Sequence, residues 1–138
     1  MTNLKITAGP YEFDARLERE RAPLTCAAFA KSLPFVTEVM HVKWSGECVW
    51  SPLGDMDFGV GHENPTSYPS PGQFILYPGG ISETEIMLAY GAAHFMSKVG
   101  PLAGNHFITI TSGAENLEAL GDLTMRKGAQ KICFELAE

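Results

Sequence analysis

Glu83 and Glu85 stand two apart in the run SETEIMLAY. On a strand they share one face. Carboxyls held that close drive their proton affinities apart, so one can serve as an acid and the other as a base. Pro78-Gly79-Gly80, just ahead of them, lets backbone approach a bound molecule closely. The competing reading is a solvated strand face. A second set lies in HENPTSY, which holds His62, Glu63, Asn64 and Tyr68. Its imidazole and carboxylate cooperate only if the loop curls; otherwise this is a solvent loop whose Asn-Pro starts a turn. The third set is WSGECVWSPLG, with both tryptophans, Trp44 and Trp50. An indole offers a flat apolar wall and a donor at its edge. If Ser45-Gly46 is a two-residue turn, Trp44 pairs with Glu47 and His41 with Trp50, which puts the indoles on opposite faces. Trp44 is then core filling and Trp50 a ligand platform, unless a helix caps Trp50.

Other chemistries find no support. There is no P-loop, no Ser-His-Asp order and no G-x-G-x-x-G opening a helix. The four histidines have no metal-ligand spacing with nearby acids. Neither a metal nor another cofactor is expected. Sixteen acids against ten bases give a net charge of −6 without a basic cluster, which argues against nucleic acid and against an anionic membrane surface. No apolar run approaches the ~18 residues of a membrane span, and MTNLKITAGPYEF lacks the pattern of a secretory signal. Cys26, Cys48 and Cys133 are odd in number and far apart. They read as reduced, buried thiols in a cytoplasmic protein.

The elements that must carry these residues follow from periodicity. With 138 residues, 45% hydrophobic and 19% charged, the chain suits one domain over 1–138. LKITA and YEFDARL alternate around Gly9-Pro10 and read as a hairpin. APLTCAAFAKSLP changes period; Pro23 suits a first helical turn and Pro34 ends the element. A helix of about three turns is expected there, with Leu24, Ala28, Phe29 and Leu33 inward. FVTEVMHVKW and ECVWS form a strand pair. Residues 52–72 form a long loop rich in Gly, Pro, Asn and Ser, and such loops are usually functional or mobile. QFILY, ETEIMLAY, AHFMSK and NHFITIT read as strands, ENLEALGDL as a short helix and AQKICFEL as a last strand. Strands so spaced, without a βαβ rhythm, predict a mainly β fold of about eight strands with one longer and one short helix, either a closed antiparallel barrel or a sandwich.

The order of these segments resembles the cyclophilin barrel, and with the strand spacing the resemblance implies a closed, mostly antiparallel barrel of about eight strands. PLAGNHFITITSGAENLEAL, PSPGQFILYP and MHVKWSGECVW are similar to the cyclophilin segments in corresponding places. HVKWSGECVWSPLGD and YPGGISETEI look like an uncharacterised bacterial family of cyclophilin-like proteins. The resemblance puts Val42 where a prolyl isomerase has its catalytic arginine, Trp50 where it has a substrate-holding glutamine, and Pro101 where it has a pocket tryptophan. The Gln-Phe-Phe signature is missing. Only His106 matches, at the pocket histidine. Without the arginine that stabilises the twisted amide, proline isomerisation close to background is expected.

Two readings follow. One is a barrel that binds a small molecule or a peptide, with Trp50, Tyr77, His106, His62, Glu63 and Tyr68 in or over one groove and the 52–72 loop as its roof. The other is an enzyme using Glu83, Glu85 and His106 for acid–base work on a small amide or carboxylate; its warrant is that cyclophilin-like barrels occur in amide- and urea-hydrolysing enzymes. Nothing in the sequence decides against a homo-oligomer.

Overall fold

The computed structural model describes residues 3–137. Leu4–Ala8 (β1) and Tyr11–Leu17 (β2) form the expected hairpin. Gly9 turns it at φ 56°, a conformation that glycine adopts without strain. Pro23–Ala30 (α1) follows. Then come Phe35–His41 (β3), Gly46–Gly54 (β4), Pro65–Thr66 (β5), Gln73–Tyr77 (β6) and Thr84–Ala93 (β7). Met96–Ser97 (β8) and Gly100–Pro101 (β9) make a small hairpin. Gly104–Ser112 (β10), Leu117–Lys127 (α2) and Gln130–Leu136 (β11) complete the chain.

The sheet runs β2-β1-β11-β3-β4-β7-β6-β10, and β10 pairs back onto β2. Eight strands therefore close into a barrel in which every pairing is antiparallel. Closure removes the exposed edges that an open sheet would leave. β5 adds to one end of β10.

Strand alternation sorts the apolar residues into two layers. All eight barrel strands contribute to the interior, among them Ile6, Phe13, Val49, Leu76, Leu88, Ile108 and Phe134. The alternate residues of β4, β6 and β7 face outward and form a second cluster with Cys48, Ile75, Tyr77, Met87 and Ala89. Phe95 and Leu102, which flank the β8–β9 hairpin, cover it.

The helices differ from expectation. α1 has eight residues and stops at Ala30, and the longer helix is α2, with eleven. Pro34 disfavours a helical Leu33. The inward face of α1 is Ala22, Thr25, Cys26 and Phe29, an i, i+3, i+4, i+7 stripe. Leu24 therefore points to solvent at 67% exposure. Phe29 enters the barrel and meets Phe107 and Phe134 edge-on, with centroids 5.1 and 5.2 Å away.

The turn after β3 decides the geometry of the site. Lys43–Ser45 form a 3-10 turn instead of a two-residue hairpin loop. The register is thereby one residue from the expected one: Met40 pairs with Trp50, and His41 with Val49. A slip of one residue reverses which face a side chain occupies. Trp44 is accordingly 59% exposed rather than core, and it meets Trp50 edge-on with centroids 5.6 Å apart.

Candidate functional site

The two indoles form one wall of a cleft of about 290 Å³ on the outside of the barrel. β4 supplies Trp50 and β7 supplies Glu85. The bend before β7 brings Ile81, Ser82 and Glu83; the β8–β9 hairpin brings Met96, Lys98 and Val99. Trp50 lies opposite Met87, so Glu85 is its diagonal neighbour on the same face. Tyr77 lies directly opposite Glu85. Strand register thus gathers Trp50, Tyr77 and Glu85 on one patch of wall.

Hydrogen bonds fix the rim. The Tyr77 hydroxyl accepts the Ile81 N–H at 3.2 Å. Glu83 Oε1 accepts the Gly54 N–H at 3.1 Å. Buried Ser45 ties the tryptophan turn to the roof: its carbonyl accepts the His94 N–H at 2.9 Å and its hydroxyl accepts the Met96 N–H at 3.1 Å. The Ser67 hydroxyl donates to the Leu102 carbonyl at 2.8 Å at the other end of the roof.

Glu85 stands apart chemically. It is 4% exposed, it lines the cleft, and no donor bonds its carboxyl among the described residues. Burial, then the charge of Glu83, push that carboxyl up to about 8. Near neutral pH it is mostly protonated, with both a donor and an acceptor to offer.

The remaining sequence candidates lie elsewhere. Glu63 caps α1. Its carboxylate accepts the Thr25 N–H and hydroxyl, each at 2.8 Å, and the Leu24 N–H at 3.1 Å. Desolvation opposes its ionisation, but these bonds outweigh that and hold the carboxyl below its ordinary range. Fully buried Asn105 stitches the same region, donating to Thr25 Oγ1 and the Gly61 carbonyl and accepting the Glu63 N–H. His62 is exposed. Tyr68 stacks on His94 at 4.4 Å, outside the cleft lining. His106 does not line the cleft; its Nε2 bonds Thr109 Oγ1 at 2.8 Å, and Thr109 in turn donates to Glu18. Burial lowers the His106 pKa, against the opposing charge of Glu18. The roof is therefore the 96–99 hairpin and not the 52–72 loop. Sequence reasoning missed that roof, although Gly100-Pro101 after SKV carries a turn signal. It also missed Trp44 as a wall, because the turn was read one residue short. Among the described residues, no group of three His, Cys, Asp or Glu side chains is placed to hold a metal. Nor is any helix long and apolar enough to cross a membrane.

Residues 4–136 match the profile of one protein family throughout. The chain belongs to the family described as Protein of unknown function (DUF3830). No curated protein matches this family member. Solved structures do. McbB, in a structure with tryptophan, is similar with a TM-score of 0.68 and 16% identity over 96% of this chain. This chain spans only 44% of the McbB chain. A hypothetical protein from Archaeoglobus fulgidus aligns at a TM-score of 0.59 and 18% identity, over 99% of this chain and 95% of its own. A cyclophilin-type peptidyl-prolyl cis-trans isomerase from Cryptosporidium parvum, solved in the presence of the dipeptide ala-pro, aligns at 0.60 and 11% over 99% of both chains. These likenesses establish a cyclophilin-like barrel. Val42, at the position the resemblance gives to arginine, is buried as a member of the outer cluster.

Proposed function

We propose that this protein binds a small molecule in the cleft between the Trp44–Trp50 corner and the 96–99 hairpin. One observation carries the reading: Glu85, 4% exposed as a residue, lines the cleft with a carboxyl that no described residue hydrogen-bonds and that meets solvent only through the cleft. A carboxyl so enclosed loses part of its hydration without gaining a protein hydrogen bond, which is unfavourable by on the order of a kcal/mol. A bound molecule that supplies the missing bond recovers that energy. A volume of about 290 Å³ lies at the small end of ligand pockets and suits a metabolite better than a long peptide. Two of the similar barrels were solved with small ligands, tryptophan in one and ala-pro in the other, which supports the reading.

A thermal-shift screen of metabolites tests it. A ligand present at 100 times its dissociation constant adds roughly 2.7 kcal/mol. That gain should disappear in Trp50→Ala while the variant stays folded. A hit that shifts Trp50→Ala as much as the parent places the site elsewhere.

A second reading has its own support. Glu85, largely protonated beside Glu83, has the form of an acid–base pair. An enzyme acting on a small amide or carboxylate would need turnover that Glu85→Gln abolishes while ligand binding survives. No histidine lines the cleft, so the carboxyls alone would carry the proton transfers.

A further inference from the structure

We propose that the cleft selects organic cations, an ammonium or guanidinium on a flat apolar body, and that Glu85 releases a proton to solvent as the cation binds. This rests on the small-molecule reading above and names the ligand class. Three independent features converge. Glu85 is 4% exposed, without a protein donor, and opens into the cleft. Glu83, two residues earlier, lines the same cleft and places a second carboxyl beside it. The aromatic corner of Trp44 and Trp50, at 5.6 Å and 80°, offers one ring face and one ring edge. A cation is drawn to an indole face by its quadrupole, and a flat apolar body fills the corner.

The other charged and titratable groups at this wall do not reverse the preference. Lys98 reaches the cleft from the hairpin, but it is exposed at the mouth and screened by salt. Tyr77 faces Glu85 from β6, with its hydroxyl engaged by the Ile81 N–H. From β4, Cys48 is a fully buried thiol pushed up to about 12, so it stays neutral. With Glu85 protonated, exposed Glu83 and exposed Lys98 offset each other at the mouth, and it is the ionisation of Glu85 beside a bound cation that makes the cleft acidic. The proton balance is simple. Free Glu85 holds a proton at neutral pH, the bound cation pairs with its carboxylate, and one proton leaves for each cation bound. A neutral molecule fills the same corner without displacing the proton, and an anion meets Glu83.

Trp44 and Trp50 are the only two tryptophans of the chain, and both line the cleft, so tryptophan emission reports on this site alone. Three molecules of matched body serve as probes: 2-phenylethylamine, 2-phenylethanol and 3-phenylpropionate. The amine should change the emission saturably, and bind at least tenfold more tightly than the other two. Its affinity should rise by up to about tenfold per pH unit between pH 6 and 7.5 and level off above 8. Glu85→Gln, with its fold checked by thermal melting, should lose at least tenfold in amine affinity and all of the pH dependence. Glu83→Gln should lose less. If the alcohol or the acid binds as tightly as the amine, the cation preference is wrong while the small-molecule reading stands. Amine affinity that does not change with pH, or that survives in Glu85→Gln, overturns the role of Glu85. If none of the three probes changes the emission, the cation inference fails. The metabolite screen with Trp50→Ala then judges the small-molecule reading separately.

Discussion

Glu85 concentrates the tension between stability and function in a single side chain. Its folded-state pKa, about 8, lies well above that of an unfolded glutamate, about 4.3. Between those values the folded protein holds a proton that the unfolded chain has released. Stability therefore falls as pH rises through this window, by up to about 1.4 kcal/mol per pH unit for a fully buried group, and levels off above pH 8. Glu85→Gln removes the titrating proton. The variant should match the parent near pH 5 and exceed it at pH 9 by an amount on the order of a few kcal/mol, as measured by urea unfolding at pH 5, 7 and 9. Parallel pH profiles for the two proteins would show that the Glu85 carboxyl is better solvated than its burial implies. The same substitution is expected to weaken cation binding at least tenfold, so stability gained and function lost would travel together, as at sites held in an unfavourable state for binding.

At the scale of elements, α1 is a helix whose cap comes from far along the chain. Ala22 at its N-cap offers no side-chain acceptor, and its first turn has no acid. Glu63, 38 residues beyond Thr25, satisfies the free N–H groups of Leu24 and Thr25 and faces the positive end of the helix dipole. Glu63→Ala should destabilise the protein by about 1–2 kcal/mol at pH 7, as N-cap losses do. Because the folded-state pKa of Glu63 is lowered, its contribution is present above the ordinary glutamate range. It is lost as pH falls through the lowered value, so the gap between parent and variant should close in acid. Urea unfolding at pH 7 and pH 3 measures both parts. A variant as stable as the parent at pH 7 would mean that solvent caps the helix equally well. The loop that carries Glu63 looks functional in sequence because it is long and polar. In the structure much of its polar chemistry is turned inward, toward Asn105 and α1.

For the whole molecule, closure of the barrel and docking of α1 meet at Phe29. Its ring is fully buried and touches Phe35 of β3, Phe107 of β10 and Phe134 of β11. These strands lie on both sides of the barrel wall order. Phe29→Ala should therefore lower stability by roughly 3–5 kcal/mol through lost transfer energy and a cavity that rigid strands cannot fill. Chemical unfolding should show a lower midpoint. A loss below about 1 kcal/mol would make α1 a peripheral element. The cleft lies outside the barrel and Phe29 inside it, so ligand binding by the folded variant should survive.

The sequence alone determined what depends on neighbours a few residues apart. Alternation in LKITA and YEFDARL set strand faces, Gly9-Pro10 set a turn, and the spacing of strands without βαβ units set an antiparallel β fold, barrel or sandwich. It also named Glu83 and Glu85 as neighbours, and both line the cleft, but the shared strand face it expected does not form: β7 begins at Thr84 and Glu83 lies in the bend before it. The tertiary structure alone decided the rest. A 3-10 turn at Lys43–Ser45 shifted one register by a single residue and moved Trp44 from an expected core place to a cleft wall. The propensities of KWSG hardly distinguish the two turns, and the buried bonds of Ser45 to His94 and Met96 join segments about fifty residues apart. Which acid is buried was equally beyond local pattern. Both line the cleft, but Glu83 lies exposed in the bend before β7 whereas Glu85 is buried within the strand, and that difference in solvation separates the two.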